Sequence, residues 1–91
     1  MLTYKVAYRL RMGAFFAEVL DFPEVTAVGP TVGEARINIK SALRQAVQRR
    51  LDQGEPMPLP QPGRLAPDAY VVEAVTVLPY ADNRVAVQAA P

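Results

Sequence analysis

Apolar residues recur at every second position from Leu2 to Leu10, and after Gly29-Pro30 the spacing of apolar residues becomes helical. A side-chain period of two belongs to strands and one of 3.6 to helices, so the chain is committed to strands first and a helix after them. From Leu2 to Leu10 the apolar set is Leu2, Tyr4, Val6, Tyr8 and Leu10, with Thr3, Lys5, Ala7 and Arg9 between. This reads as an antiparallel strand with one wet face. Gly13 can take the positive φ that a tight hairpin demands, and Ala14 to Leu20 forms the second strand. Asp21-Phe22-Pro23 ends it, because Pro23 cannot donate to a ladder. Val25 to Val28 is a short third strand.

Thr31-Val32-Gly33-Glu34 then fits a capping box. The expected pattern has the Thr31 hydroxyl accepting from the third helical N–H, while Glu34 reaches back. Ala35, Ile39, Ala42, Leu43, Ala46 and Val47 form one broad apolar stripe, and the helix should run to about Gln53 with Gly54 as its left-handed end. Residues 54–67 carry proline at every second position from Pro56 to Pro62, which excludes helix and central strand and predicts an extended connector. The PxxP spacing of an SH3 ligand is missing. Asp68 to Leu78 is the fourth strand, with Tyr70, Val72, Ala74, Thr76 and Leu78 on one face and Val71, Glu73, Val75 and Val77 on the other. Within residues 80–91, Arg84 to Gln88 has the composition for a further short strand before a frayed tail. The expected architecture is one α+β domain over residues 1–91, ordered β-β-β-α-β.

Composition narrows the function. Cysteine and histidine are both absent, which removes disulfides, thiolate metal sites, a cysteine nucleophile and the side chain that titrates unaided near neutrality. No cofactor or metal is expected. The net charge of +1 gives no general pull toward nucleic acid or membrane. The N-terminal residues alternate instead of forming an apolar signal region, and Ala69 to Leu78 is too short to span a bilayer, so a cytoplasmic location is expected. Two acids on strands, Glu18 and Glu73, are the pair best placed to converge on a sheet, but two carboxylates make a poor metal cage. The chain is therefore expected not to be an enzyme.

The hairpin, Asp21-Phe22-Pro23, Thr31-Val32-Gly33-Glu34-Ala35, Asn38 with Ser41-Ala42-Leu43, and Gly54-Glu55-Pro56-Met57-Pro58 together resemble the core of HicB-type antitoxins from Leu2 to about Pro60. The resemblance implies a partial ribonuclease H-like fold with a fourth strand parallel to the first. It also implies a partner: a small, basic, RNA-cleaving toxin that the domain blocks. The family often has Pro-Gly after the second strand, where this chain has Pro23-Glu24, and no DNA-recognition helix can be drawn after Pro60, so sequence-specific DNA binding is not carried over.

Binding residues are expected in three places. Phe15 and Phe16 are neighbours and must point to opposite faces, and the last strand is apolar on both, which leaves more apolar surface than one helix covers. A self-interface, dimeric or tetrameric, is therefore expected on Tyr70, Val72, Val75 and Val77. A basic stripe of Arg36, Lys40 and Arg44 on the helix suits something acidic, or weak RNA binding in an orphan domain. The acidic turn at Asp21 and Glu24 is the expected contact for a basic toxin. The capping box carries its own test: Thr31→Ala should cost about 1 kcal/mol, read as a lowered unfolding midpoint in denaturant, and an unchanged midpoint would place the helix start elsewhere.

Overall fold

The computed structural model describes residues 2–61, 63–79 and 85–89. Among these residues five strands and one helix follow one another as β1 (Leu2–Arg11), β2 (Ala14–Val19), β3 (Thr26–Gly29), α1 (Val32–Gln53), β4 (Val71–Pro79) and β5 (Val85–Ala89). They form a single sheet in the order β3-β2-β1-β4-β5, antiparallel at every pairing. The α+β class and the order β-β-β-α-β agree with the sequence reading, and β5 falls where Arg84 to Gln88 was expected to add a short strand.

The β1–β2 hairpin closes on two residues, since Arg11 pairs with Ala14. Met12 and Gly13 both have positive φ, 52° and 79°. Two consecutive left-handed residues give the turn whose twist matches a two-residue hairpin. Glycine takes this conformation freely, but methionine does so at a cost.

Alternation places Tyr4, Val6 and Tyr8 of β1, Ala17 and Val19 of β2, and Val75 and Val77 of β4 under α1, whose buried face is Ala35, Ile39, Leu43, Ala46 and Val47. Phe22 and Val25, from the β2–β3 turn, complete this core. The helix lies close to β3 because Gly29 has no side chain: a Cβ there would stand 2.6 Å from the Ala35 nitrogen. At the helix start the Thr31 hydroxyl accepts from the Glu34 N–H at 3.1 Å. The second half of the box differs from expectation, because the Glu34 carboxylate meets the Thr31 hydroxyl at 3.5 Å. At its end, Gly54 is left-handed, its N–H bonding the Leu51 carbonyl while the Glu55 N–H bonds that of Arg50. These two bonds are the Schellman pattern.

One expectation is overturned. β4 runs antiparallel to β1, with Val71 opposite Tyr8 and Val77 opposite Leu2, where a parallel strand was expected. The connector is the reason. The helix ends beside the β2–β3 turn, at the end of the sheet where β1 begins, and a direct crossover there would have produced a parallel strand. Instead the chain runs back along β1 before pairing. Its 16 residues from Gly54 to Ala69 could reach roughly 50 Å extended, against about 33 Å for the ten residues of β1. The reversal therefore costs no strain.

Replacing Met12 by asparagine, which tolerates the left-handed region and suits this turn, should stabilise the protein by about 1 kcal/mol. Denaturant midpoints of the two proteins measure it, and an equal or lower midpoint for Met12→Asn would mean that the turn relaxes in solution.

Candidate protein-interaction surface

The sheet has one face under α1 and one facing away. On the outer face β1 contributes Thr3, Lys5, Ala7 and Arg9, β2 contributes Phe16 and Glu18, β3 contributes Thr26 and Val28, and β4 contributes Val72, Ala74 and Thr76, as the registers require. Part of this face is covered by the connector. The Lys5 ammonium donates to the Arg64 carbonyl at 3.4 Å, and Lys5, Arg64, Leu65, Ala66, Pro67 and Val72 line one shallow cleft. Ala7, between Lys5 and Arg9 on this face, is fully buried.

On the rest of the face an apolar patch stays open among polar residues. Phe16 and Val28 sit opposite each other across β2 and β3 and are 46% and 47% exposed. Val72 is 42% exposed on the same side but lies beyond β1, in the cleft beside the connector. Charged groups edge the patch. Arg9 joins Glu18 at 3.1 Å and Asp68 at 3.0 Å, and Arg9, Arg11, Phe16, Glu18, Thr26 and Asp68 line a second shallow cleft. The Arg9 guanidinium holds the Asp68 carboxyl below its ordinary range.

The residues singled out from the sequence separate on this framework. Val75 and Val77 cannot form a self-interface as expected: they are buried against the helix, and β5 occupies the far edge of β4. Val72 keeps its exposure, and Tyr70 is also exposed, its ring standing edge-on to Phe15 with centroids 5.3 Å apart. Asp21 is not a free partner contact either. Its side chain is 4% exposed, one oxygen accepting from the Gln61 N–H at 2.7 Å and the other paired with Arg64 at 2.8 Å. Glu24 remains more exposed but pairs with Arg50, whose guanidinium also stacks over the Phe22 ring and donates to the Pro56 carbonyl.

The basic stripe is shortened at one end. Arg36 makes a bidentate pair with Glu73, with its Nη2 at 2.7 Å from one oxygen. Among the described residues Lys40 and Arg44 have no such ion pair, and Arg44 is exposed. Glu18 and Glu73 do not converge: the first lies opposite Ala7 on the outer face, the second opposite Val6 on the helix face. Among the described residues no three His, Cys, Asp or Glu side chains gather in a group that could hold a metal ion. No helix among them is long and apolar enough to cross a membrane.

Sequence reasoning placed one of the two phenylalanines away from the helix but could not say which. The register shows it to be Phe16. The Asp21–Arg64 clamp left no signal, since its partners are separated by the whole helix and have no local pattern.

Beneath the Arg36–Glu73 pair lies the Tyr8 hydroxyl, buried without a well-formed hydrogen bond. Burial, with the neighbouring Glu73 carboxylate, raises its pKa well above the ordinary 10.0. Glu73 shifts the other way, held below its usual 4.5 mainly by its hydrogen bonds to Arg36. A depressed carboxylate stabilises the fold above its ordinary pKa, and that contribution is lost as pH falls through the folded value. Glu73→Gln should therefore lower the melting midpoint at pH 7 and narrow the gap between the pH 7 and pH 3 midpoints. An unchanged gap would show that the pair is absent in solution.

A search of protein families, of curated proteins and of solved structures finds no match to this chain.

Proposed function

We propose that this chain is a non-catalytic protein-binding module, acting as an antitoxin-type inhibitor whose partner is a small, basic, RNA-cleaving protein. The observation that carries the reading is the open apolar patch of Phe16 and Val28 on a sheet face that the helix does not cover. Apolar surface bordered by charge is the composition of a protein-docking site, with the ring of charge setting orientation and the apolar centre supplying affinity. The nature of the partner comes from the HicB-like motifs between Leu2 and Pro60. Glu18 and Asp68 at the border offer carboxylates to a basic surface, each already oriented by Arg9. With Asp21 engaged in holding the connector, the outer face is a better docking place for such a partner than the acidic turn.

A second reading, weak RNA binding by an orphan domain, draws on Lys40 and Arg44 on the exposed helix. With Arg36 held by Glu73, two cations one turn apart offer a small phosphate footprint, and binding through them would fade with added salt.

The two readings part in one experiment. Co-expression with the small basic protein encoded by a neighbouring reading frame, followed by co-purification, should recover the pair and relieve the partner's toxicity. Phe16→Glu and Val28→Glu should each abolish both effects, while Arg44→Glu leaves them intact. If the pair forms equally well with Phe16→Glu, the outer face is not the docking site. If no pair forms and salt-sensitive RNA binding is lost in Arg44→Glu, the second reading replaces the first.

A further inference from the structure

We infer that two copies of the chain pair about a two-fold axis along the β3 edge, with their helices lying antiparallel beside each other. The inference rests on the protein-binding reading, and adds that the partner meets a paired outer face.

β3 is the terminal strand of the sheet at one side, and its four residues carry the exposed Val28. The flank of α1 beside this edge is identified by Asn38, whose side-chain amide donates to the Val28 carbonyl at 2.9 Å. That carbonyl has a second lone pair, so the contact does not close the edge to another strand.

The helix flank on this side reads the same in both directions. Glu34, Asn38 and Ser41 are followed by Ala42, Gln45 and Arg49, with spacings of 4, 3, 1, 3 and 4. At 100° per residue all six fall on one side of the helix, the side Asn38 marks. Glu34, Asn38, Gln45 and Arg49 are exposed, while Ser41 and Ala42 are half-buried. A two-fold axis between Ser41 and Ala42 sets Glu34 opposite the second copy's Arg49, and Asn38 opposite its Gln45. Opposite charges meet at both ends, amides meet between them, and two small residues at the centre let the helices approach. The same surface patch on both subunits is what a two-fold interface requires.

The sheet side agrees with this. An antiparallel pairing of β3 with its copy, centred near Ala27, brings the two Phe16–Val28 patches side by side on the outer face. Each patch alone exposes two large apolar side chains. Joined, the two Val28 side chains lie diagonally across the axis, each opposite the other copy's Thr26, and add apolar contact to a helix flank that is otherwise polar.

Sedimentation equilibrium should give twice the 10.0 kDa mass of the chain. Arg49→Glu would place like charges opposite each other and should raise the dimer dissociation constant at least about tenfold. Adding Glu34→Arg to that variant should restore the dimer, with helix content followed by circular dichroism. Because the chain has no cysteine, Ser41→Cys should form a disulfide-linked dimer under mild oxidation. A wild-type monomer at the highest soluble concentration overturns the inference. So does a dimer that ignores Arg49→Glu and in which Ser41→Cys stays unlinked, or a double variant with native helix content that remains monomeric. A monomer that still captures its partner defeats the pairing alone, and a dimer that captures none defeats the proposed function alone.

Discussion

The direction of the fourth strand depends on one almost buried carboxylate. Asp21 sits in the β2–β3 turn with its side chain 4% exposed, and its charge is met by the Gln61 N–H and the Arg64 guanidinium. An acid so placed is costly unless donors are fixed against it, so Gln61 and Arg64 are held where they are. That position keeps the connector beside the sheet and steers it along β1 before it can pair. The antiparallel β4, the burial of Ala7 and the division of the outer face into a covered and an open part all follow from it.

Other contacts reinforce the path at its two ends. Near the helix exit the Tyr4 hydroxyl donates to the Pro58 carbonyl, and Arg50 joins Glu24, the Phe22 ring and the Pro56 carbonyl. At the far end Arg9 holds Asp68, and the Tyr70 N–H donates to the Tyr8 carbonyl as the chain enters β4. Proline fixes φ along the stretch between, so the connector loses less conformational entropy on folding than a glycine- or serine-rich segment would. A proline-rich stretch that looked like a spacer is thus part of the sheet's cover.

The same arrangement explains why some expected contact residues are unavailable and others stand open. An arginine on the helix and a glutamate on β4 pair across the layer, which removes Arg36 from the basic stripe and Glu73 from any carboxylate pair. Arg9, by contrast, gathers Glu18 and Asp68 at the border of the open patch, leaving Phe16 and Val28 as its apolar centre. Ion pairs between elements here sort the surface into closed and open regions, and their direct contribution to stability is secondary to that.

Sequence alone determined the parts governed by local rules. Alternation in Leu2 to Leu10 placed Tyr4 and Tyr8 in the core, Thr31 and Gly54 marked the two ends of the helix, and proline excluded regular structure from residues 56–62. Each depends on neighbours a few residues apart, where backbone geometry and side-chain period act directly. The direction of β4, the burial of Val75 and Val77, the engagement of Asp21 and the separation of Glu18 from Glu73 were decided only by tertiary structure. Each joins residues dozens of positions apart, and for such pairs the register of the strands and the route of the connector set the distance. Alternation assigns a residue to one of two faces, but only the assembled sheet determines which face the helix covers.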